Sequence, residues 1–272
     1  MNNQWRLILD DDNNGYYNMA VDEALFLRYP TQKIPTLRIY GWHPACVSLG
    51  YNQVFKTVLK KNHPFDVVRR ITGGASILHC KEITYSLACS AADLDLPVKV
   101  KDSYGTICSF LLEFYAALGL KAGFAKDIFN DALVGRYGNF CFSHREHYDL
   151  VVDNKKIGGN AQRRNRDVIF QHGSIPLMID YDAVESVIND TVTLREKAAS
   201  LEDMLGQQDI FLLREKLAES FAKTFKVKLV ESVLNFSEEL LAKNLIKNKY
   251  QTDEWNLYKN TTEKYGYPLL SA

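Results

Sequence analysis

Apolar positions Ala20, Val21, Ala24, Leu25 and Leu27 recur at helical spacing, which predicts a helix over 18–29 with Asn18 as its cap. The pattern then shortens. Runs at 36–40 and 46–49 predict strands joined through Gly41-Trp42-His43-Pro44, and strands follow at 67–70, 76–79 and 84–89. Gly73-Gly74 sits between two of these runs and predicts a turn that links them. Helical spacing returns with Ile107, Phe110, Leu111, Phe114 and Leu118, one stripe of a long helix that Asp102 caps and Gly119 closes. Alternation over 149–152 and 155–161 around Asp153-Asn154 predicts a hairpin, and a polar turn at 163–167 leads into a third strand over 168–177. Beyond Asp180 the chain reads as mostly helical, with Leu213, Leu217, Phe221 and Phe225 four apart and Leu240, Leu241 and Leu245 in a second segment.

Strands grouped in hairpins, without strict alternation with helices, predict an α+β fold with a mixed, largely antiparallel sheet flanked by helices. A core over 1–185 followed by a helical C-terminal segment over 186–272, packed on that core, is the expected organisation.

Composition narrows the function classes. Of 272 residues 46% are hydrophobic and 24% charged, ordinary globular values. The 33 basic and 33 acidic residues cancel, so neither a nucleic acid nor a membrane surface is expected as partner. The N-terminal stretch MNNQWRLILDDDNN lacks the pattern of a signal peptide, and no apolar run reaches membrane-spanning length, so a cytoplasmic protein is expected. Five scattered cysteines do not form a disulfide framework. Cys46, Cys80, Cys89 and Cys108 lie among apolar neighbours and read as core residues.

Cys141 differs, because it stands on a loop. A thiol with an ordinary pKa near 8.5 is only ~3% ionised at pH 7, so a nucleophilic role needs a nearby cation. Lys155, Lys156, Arg163 and Arg164 follow within the next hairpin. Strand alternation puts Lys155 and Lys156 on opposite faces, so one of them points inward, where it can stabilise a developing oxyanion. Gly158 and Gly159 follow and leave room for close approach of a ligand or backbone. Cys141, His144 and His147 also have the look of a metal cluster but lack a matching second half, so no metal is expected. Arg69 and Arg70 precede Gly73-Gly74-Ala75, whose backbone N–H groups suit an anionic oxygen, and His79 follows. His172 lies in the third strand of the later block.

Arg69-Arg70-Ile71-Thr72-Gly73-Gly74-Ala75 through His79 and Glu82 to Ser86 resembles the Arg-Arg-x-Thr/Ser-Gly-Gly signature of the lipoate-attachment superfamily, which includes lipoate–protein ligases, octanoyltransferases and biotin ligases. Tyr148 to Arg164 and Gln171 to Ile175 resemble its second block, and Met19 to Leu25 its N-terminal helix. The resemblance covers about residues 16–180. It implies a fold like that of biotin–lipoate ligases and class II synthetases. The position of Cys141, a few residues before the Tyr148-Asp149-Leu150 strand, resembles the cysteine-dependent octanoyltransferases of the LipM type.

For such an enzyme the resemblance implies Cys141 and Lys156 as catalytic residues. Arg69, Arg70, Gly73, Gly74, Ala75, His79, Gly158, Gly159, Ala161 and His172 then become substrate-binding residues. Arg69 and Arg70 are further candidates for attracting an acidic carrier surface, and His79 and His172 for taking a proton from the acceptor. The implied donor is octanoyl-acyl carrier protein. The implied acceptor is a lysine of a lipoyl domain, such as glycine cleavage H protein or a dehydrogenase E2 subunit, with no cofactor. The runner-up is an ATP- and Mg-dependent lipoate–protein ligase using Lys156. A non-catalytic binder that keeps the pocket is the alternative of a different class.

Overall fold

The computed structural model describes residues 3–97, 100–129, 139–143, 146–189, 191 and 194–259. Its strands are β1 (Gln4–Asn13), β2 (Thr36–Trp42), β3 (Cys46–Leu49), β4 (Asp66–Arg69), β5 (Ile77–His79) and β6 (Glu82–Ser90). Then come β7 (Gly123–Phe124), β8 (Leu150–Val152), β9 (Lys155–Asn165), β10 (Val168–Pro176) and β11 (Lys228–Glu231). Eight of them form one sheet in the order β11-β1-β2-β6-β10-β9-β8-β7. β1 runs parallel to β11 and β2, and the other neighbours are antiparallel. A second sheet has the order β4-β3-β5.

Each face of the large sheet carries a helical layer. The helices Val100–Ala117 and Ile210–Phe225 cover one face, where Phe110, Phe114, Leu217 and Phe221 pack with Leu37, Ile39, Tyr85 and Leu87. Each such side chain withdrawn from water contributes about 1.5–3 kcal/mol. The helix Gly15–Gln32 covers the other face and is itself covered by the helix Phe236–Leu245, so residues 18–26 are buried all round. That enclosure places Asp22 and Glu23 in the interior, where each carboxylate needs partners. The small sheet packs through Val47, Leu49 and Leu78 against Val184, Val187 and Leu194.

Several local expectations change. Asn14 caps the first long helix by accepting from Tyr17 N, while Asn18 lies inside it and binds the carbonyls of Asn13 and Gly41. The helix Val100–Ala117 begins before Asp102, which therefore sits in its first turn. β2 and β3 belong to different sheets, and β4 and β5 do not pair with each other but flank β3. The Gly73-Gly74 segment is accordingly a crossover, not a hairpin turn. β1 and β11 carry no alternation that the sequence reading detected. Cys46, Cys89 and Cys108 are buried, whereas Cys80 is only partly so.

Candidate active site

The hairpin that carries the site turns at Asp153 and Asn154, with φ of 47° and 64°, the left-handed pair that a two-residue hairpin loop requires. β9 leaves it with Lys155 half-exposed and Lys156 at 1% exposure. A register shift in the pairing with β8 lies beside Lys156. Lys156 Nζ donates to the Cys141 carbonyl at 2.8 Å, lies 2.5 Å from Asp149 Oδ2 and 3.4 Å from Cys141 Sγ. The lysine thus reaches back across the hairpin to hold both ends of the preceding loop.

Cys141 opens the 3-10 turn Cys141–Ser143. Its N–H donates to the Ser76 carbonyl at 2.9 Å, and Ser76 N–H donates to the Asn139 carbonyl at 3.0 Å. The turn is therefore strapped to the end of the crossover loop by two main-chain bonds. The sulfur lies over the backbone of Gly159, 2.7 Å from where a Cβ on that residue would stand. Glycine is required there for the thiol to occupy its place.

The crossover loop is built around Arg70. Its guanidinium donates to the Gly73 and Ala75 carbonyls at 2.8 and 3.0 Å and to Ser48 Oγ at 2.8 Å. Because the peptide is planar and trans, pinning the Gly73 carbonyl to Arg70 turns the Gly74 N–H the opposite way. Gly74 has φ 88°, and its carbonyl packs so closely on Gly50 that a Cβ at Gly50 would stand 1.8 Å from it. Ser48 Oγ also meets His79 Nε2 at 2.7 Å, while His79 Nδ1 meets Glu82 Oε1 at 2.9 Å. The His79 ring stacks on Trp42 with centroids 3.8 Å apart. His172 Nε2 is 2.7 Å from Thr72 Oγ1, and its Nδ1 is 3.5 Å from Asp22 Oδ2.

Burial raises the Cys141 thiol above its ordinary value; Lys156 and Arg70 pull it down in part, and Asp149 opposes them. At rest the sulfur is protonated. Burial alone would lower Lys156, yet Asp149 and Cys141 more than offset it and keep the ammonium charged. Burial lowers Arg70 to about 10, still cationic at neutral pH. Burial likewise opposes ionisation of Asp22 and Glu82, but their hydrogen-bonding and cationic neighbours win and hold both below the usual carboxylate range.

Two cavities meet at Cys141. The narrower encloses about 400 Å³, open mouth included, and its apolar walls are Met19, Trp42, Ala75, Ile77 and Ala161. Arg70, Gly74, His79, Gly159 and His172 complete it. The wider, about 940 Å³, shares Gly74, Ala75, Cys141 and Asn160 with the first and adds Gln53, Asn139, Glu146, Asp149 and Lys156.

Most of the residues singled out in the sequence thus converge, but not all. Arg69 is fully buried elsewhere and binds the carbonyls of Gly50, Tyr51, Gln53, Trp255 and Leu257. With Arg70 at 3% exposure, neither arginine is placed to attract a carrier surface. Gly158 faces Tyr115 and the Ser174 carbonyl, in the interior. His144 lies outside the described residues. The sequence reading gave no role to Asp149, Ser76, Met19, Trp42 or Asp22. Asp149 and Asp22 stood within quoted motifs, and only their burial reveals the use.

The family profile described as "Lipoyl protein ligase A/B catalytic domain" matches residues 14–226. The chain is 36% identical to "Octanoyltransferase LipM" of Halalkalibacterium halodurans, over 94% of this chain and 99% of that one. It is likewise 36% identical to the protein of the same name from Kyrpidia tusciae, over 94% and 99%. Among solved structures it is similar to "Crystal structure of lipoate-protein ligase A bound with ATP", with a TM-score of 0.79 and 25% identity over 93% of this chain and 98% of that one.

Proposed function

Since the chain belongs to the lipoyl protein ligase A/B family, we propose that it moves an octanoyl group in two steps through a thioester on Cys141. The enzyme is an octanoyltransferase that acts on lipoyl-domain proteins. The donor proposed is octanoyl-acyl carrier protein, and no ATP or metal takes part. The single observation that carries the reading is Cys141 Sγ, 3.4 Å from the buried ammonium of Lys156, at the junction of an apolar cleft and a wider, more polar one.

In the first step Cys141 sulfur attacks the thioester carbonyl of the donor. The donor's thiolate leaves and takes up the proton that Cys141 gave up. Thiol replaces thiol, so the exchange is nearly neutral in free energy. Lys156 and the Gly74 N–H stabilise the oxygen as it becomes anionic, an effect worth several kcal/mol when donors are held in place beforehand. The octanoyl tail lies in the narrow cleft, where each buried methylene contributes about 0.8 kcal/mol. In the second step a lipoyl-domain lysine attacks the enzyme thioester, and amide formation draws the reaction forward.

Incubation with octanoyl carrier alone is expected to give an octanoyl adduct that C141A does not form, followed by transfer to a lipoyl domain without ATP. Full transfer by C141A would overturn the reading. Similarity to an ATP-bound ligase structure supports one alternative, ATP-dependent attachment of lipoate. That alternative predicts pyrophosphate release and indifference to loss of Cys141.

A further inference from the structure

We infer that His172, oriented by Asp22, accepts a proton from the acceptor lysine's neutral amine as that amine attacks the octanoyl thioester. The inference rests on the acyl-transfer reading above and assigns its second step a base. Directly paired residues of antiparallel strands point to the same face. Ser174 pairs with Gly159, and His172 with Ala161. The sulfur of Cys141 lies over Gly159, so His172 faces the same side, two residues along β10, or about 7 Å. That gap suits one amine nitrogen hydrogen-bonded to the base at ~3 Å and approaching the thioester carbon at ~3.3 Å.

The alternative base, His79, has its ring stacked on Trp42, which fixes it between Ser48 and Glu82. Through Ser48 it shares a partner with Arg70, so it positions the crossover loop. Both rings line the cleft, but His172 stands on β10, the strand paired with β9 under the sulfur. With its ring proton on Nδ1, toward Asp22, its Nε2 accepts from the Thr72 hydroxyl at 2.7 Å, and the incoming amine takes that hydroxyl's place. Asp22 is fixed for this task by Arg38 at 2.9 Å, Tyr40 at 2.8 Å and Ser86 at 2.7 Å.

The charged and titratable groups around the ring are Asp22 from the helix Gly15–Gln32, Arg70 and His79, with Arg38 and Tyr40 acting through Asp22. Burial, aided by Arg70 and His79, holds the imidazole below its ordinary value against the pull of Asp22. The ring is therefore neutral at pH 7 and able to take a proton.

The lysine ammonium carries three protons. One goes to solvent before the attack, and one passes to His172 Nε2 as the amine attacks and from there to the Cys141 thiolate as the C–S bond breaks. The third remains on the new amide nitrogen.

The test begins with octanoyl-loaded enzyme, wild type and H172Q, each chased separately with a lipoyl domain or with hydroxylamine and read by intact mass. At pH 7 the rate of transfer to lysine, relative to hydroxylamine, is expected to fall about 100-fold in H172Q. Hydroxylamine is already neutral at that pH and needs no base. The deficit is expected to persist as pH rises toward the lysine's own range, near 10.4, because His172 acts on the amine after solvent has deprotonated it. Equal slowing of both nucleophiles, or an unchanged ratio, would overturn the inference while leaving Cys141 chemistry intact. A wild-type enzyme that never loads would instead remove the acyl-transfer reading and this inference together.

Discussion

Lys156 sits at 1% exposure between a carboxylate and a thiol. Its replacement takes the Lys156 cation away from the buried carboxylate of Asp149, which costs about 3–5 kcal/mol. K156M is therefore expected to melt roughly 10 °C below wild type, and K156M/D149N to recover part of that loss, as scanning calorimetry can check. The ammonium lowers the thiol more than Asp149 raises it. At pH 7 the double variant should accordingly react more slowly with iodoacetamide than wild type. In both proteins the alkylation rate should climb with pH up to and beyond the ordinary thiol range, because burial has lifted the Cys141 titration. A plateau already reached by pH 7 would contradict this. At this scale much was legible in the sequence: a loop thiol near a lysine pair, and glycines where backbone must come close. What was not legible is which residues carry charge indoors. Asp22 and Asp149 differ from any surface aspartate only by what folds over them.

Strand β9 has to accommodate a sulfur on its surface, and a methyl group at Gly159 would stand 2.7 Å from it. The crowded atom is the end of a side chain, so G159A is expected to fold with little loss of stability. Displacement of the thiol by about 1 Å from its working position is expected to slow octanoyl loading by ten- to a hundredfold. Normal loading by G159A, timed by intact mass, would show that the close approach is not needed. The β9 hairpin was readable because its signals are local: an Asp-Asn turn and period-two alternation. The pairing of β1 with β11 was not, since register between strands over two hundred residues apart leaves no local mark. The same reason explains the split of β2 and β3 into two sheets. A run of apolar residues states that it will be buried, but not beside which partner.

Across the molecule, the C-terminal stretch closes over the site's supports. Lys249 Nζ meets Glu23 at 2.7 and 2.8 Å, and Tyr250 Oη donates to the same carboxylate at 2.7 Å. Arg69 binds the Trp255 and Leu257 carbonyls and, on its other side, those of Gly50, Tyr51 and Gln53, the last of which lines the wider cleft. R69M is expected to destabilise the protein by about 3 kcal/mol, because it strands buried carbonyls, and to expose Trp255 to fluorescence quenchers. No sequence reading would have joined Arg69 to residues 186 positions away; its neighbour Arg70 invited the same role for both. Asp22 and Glu82, both depressed in the folded state, contribute stability that is complete at neutral pH. That stability drains away as pH falls below ~4, where unfolded carboxylates take up protons, so the melting temperature should drop steeply there. The strap from Ser76 to Cys141 has its own consequence. Its anchor is made 65 residues before the thiol, and the ammonium beside it arrives 15 residues after, so a ribosome-bound or half-assembled chain carries the sulfur without its strap, its ammonium or its cleft. The molecule cannot begin to intercept fatty thioesters until its architecture is finished, and competence becomes a certificate of completed assembly.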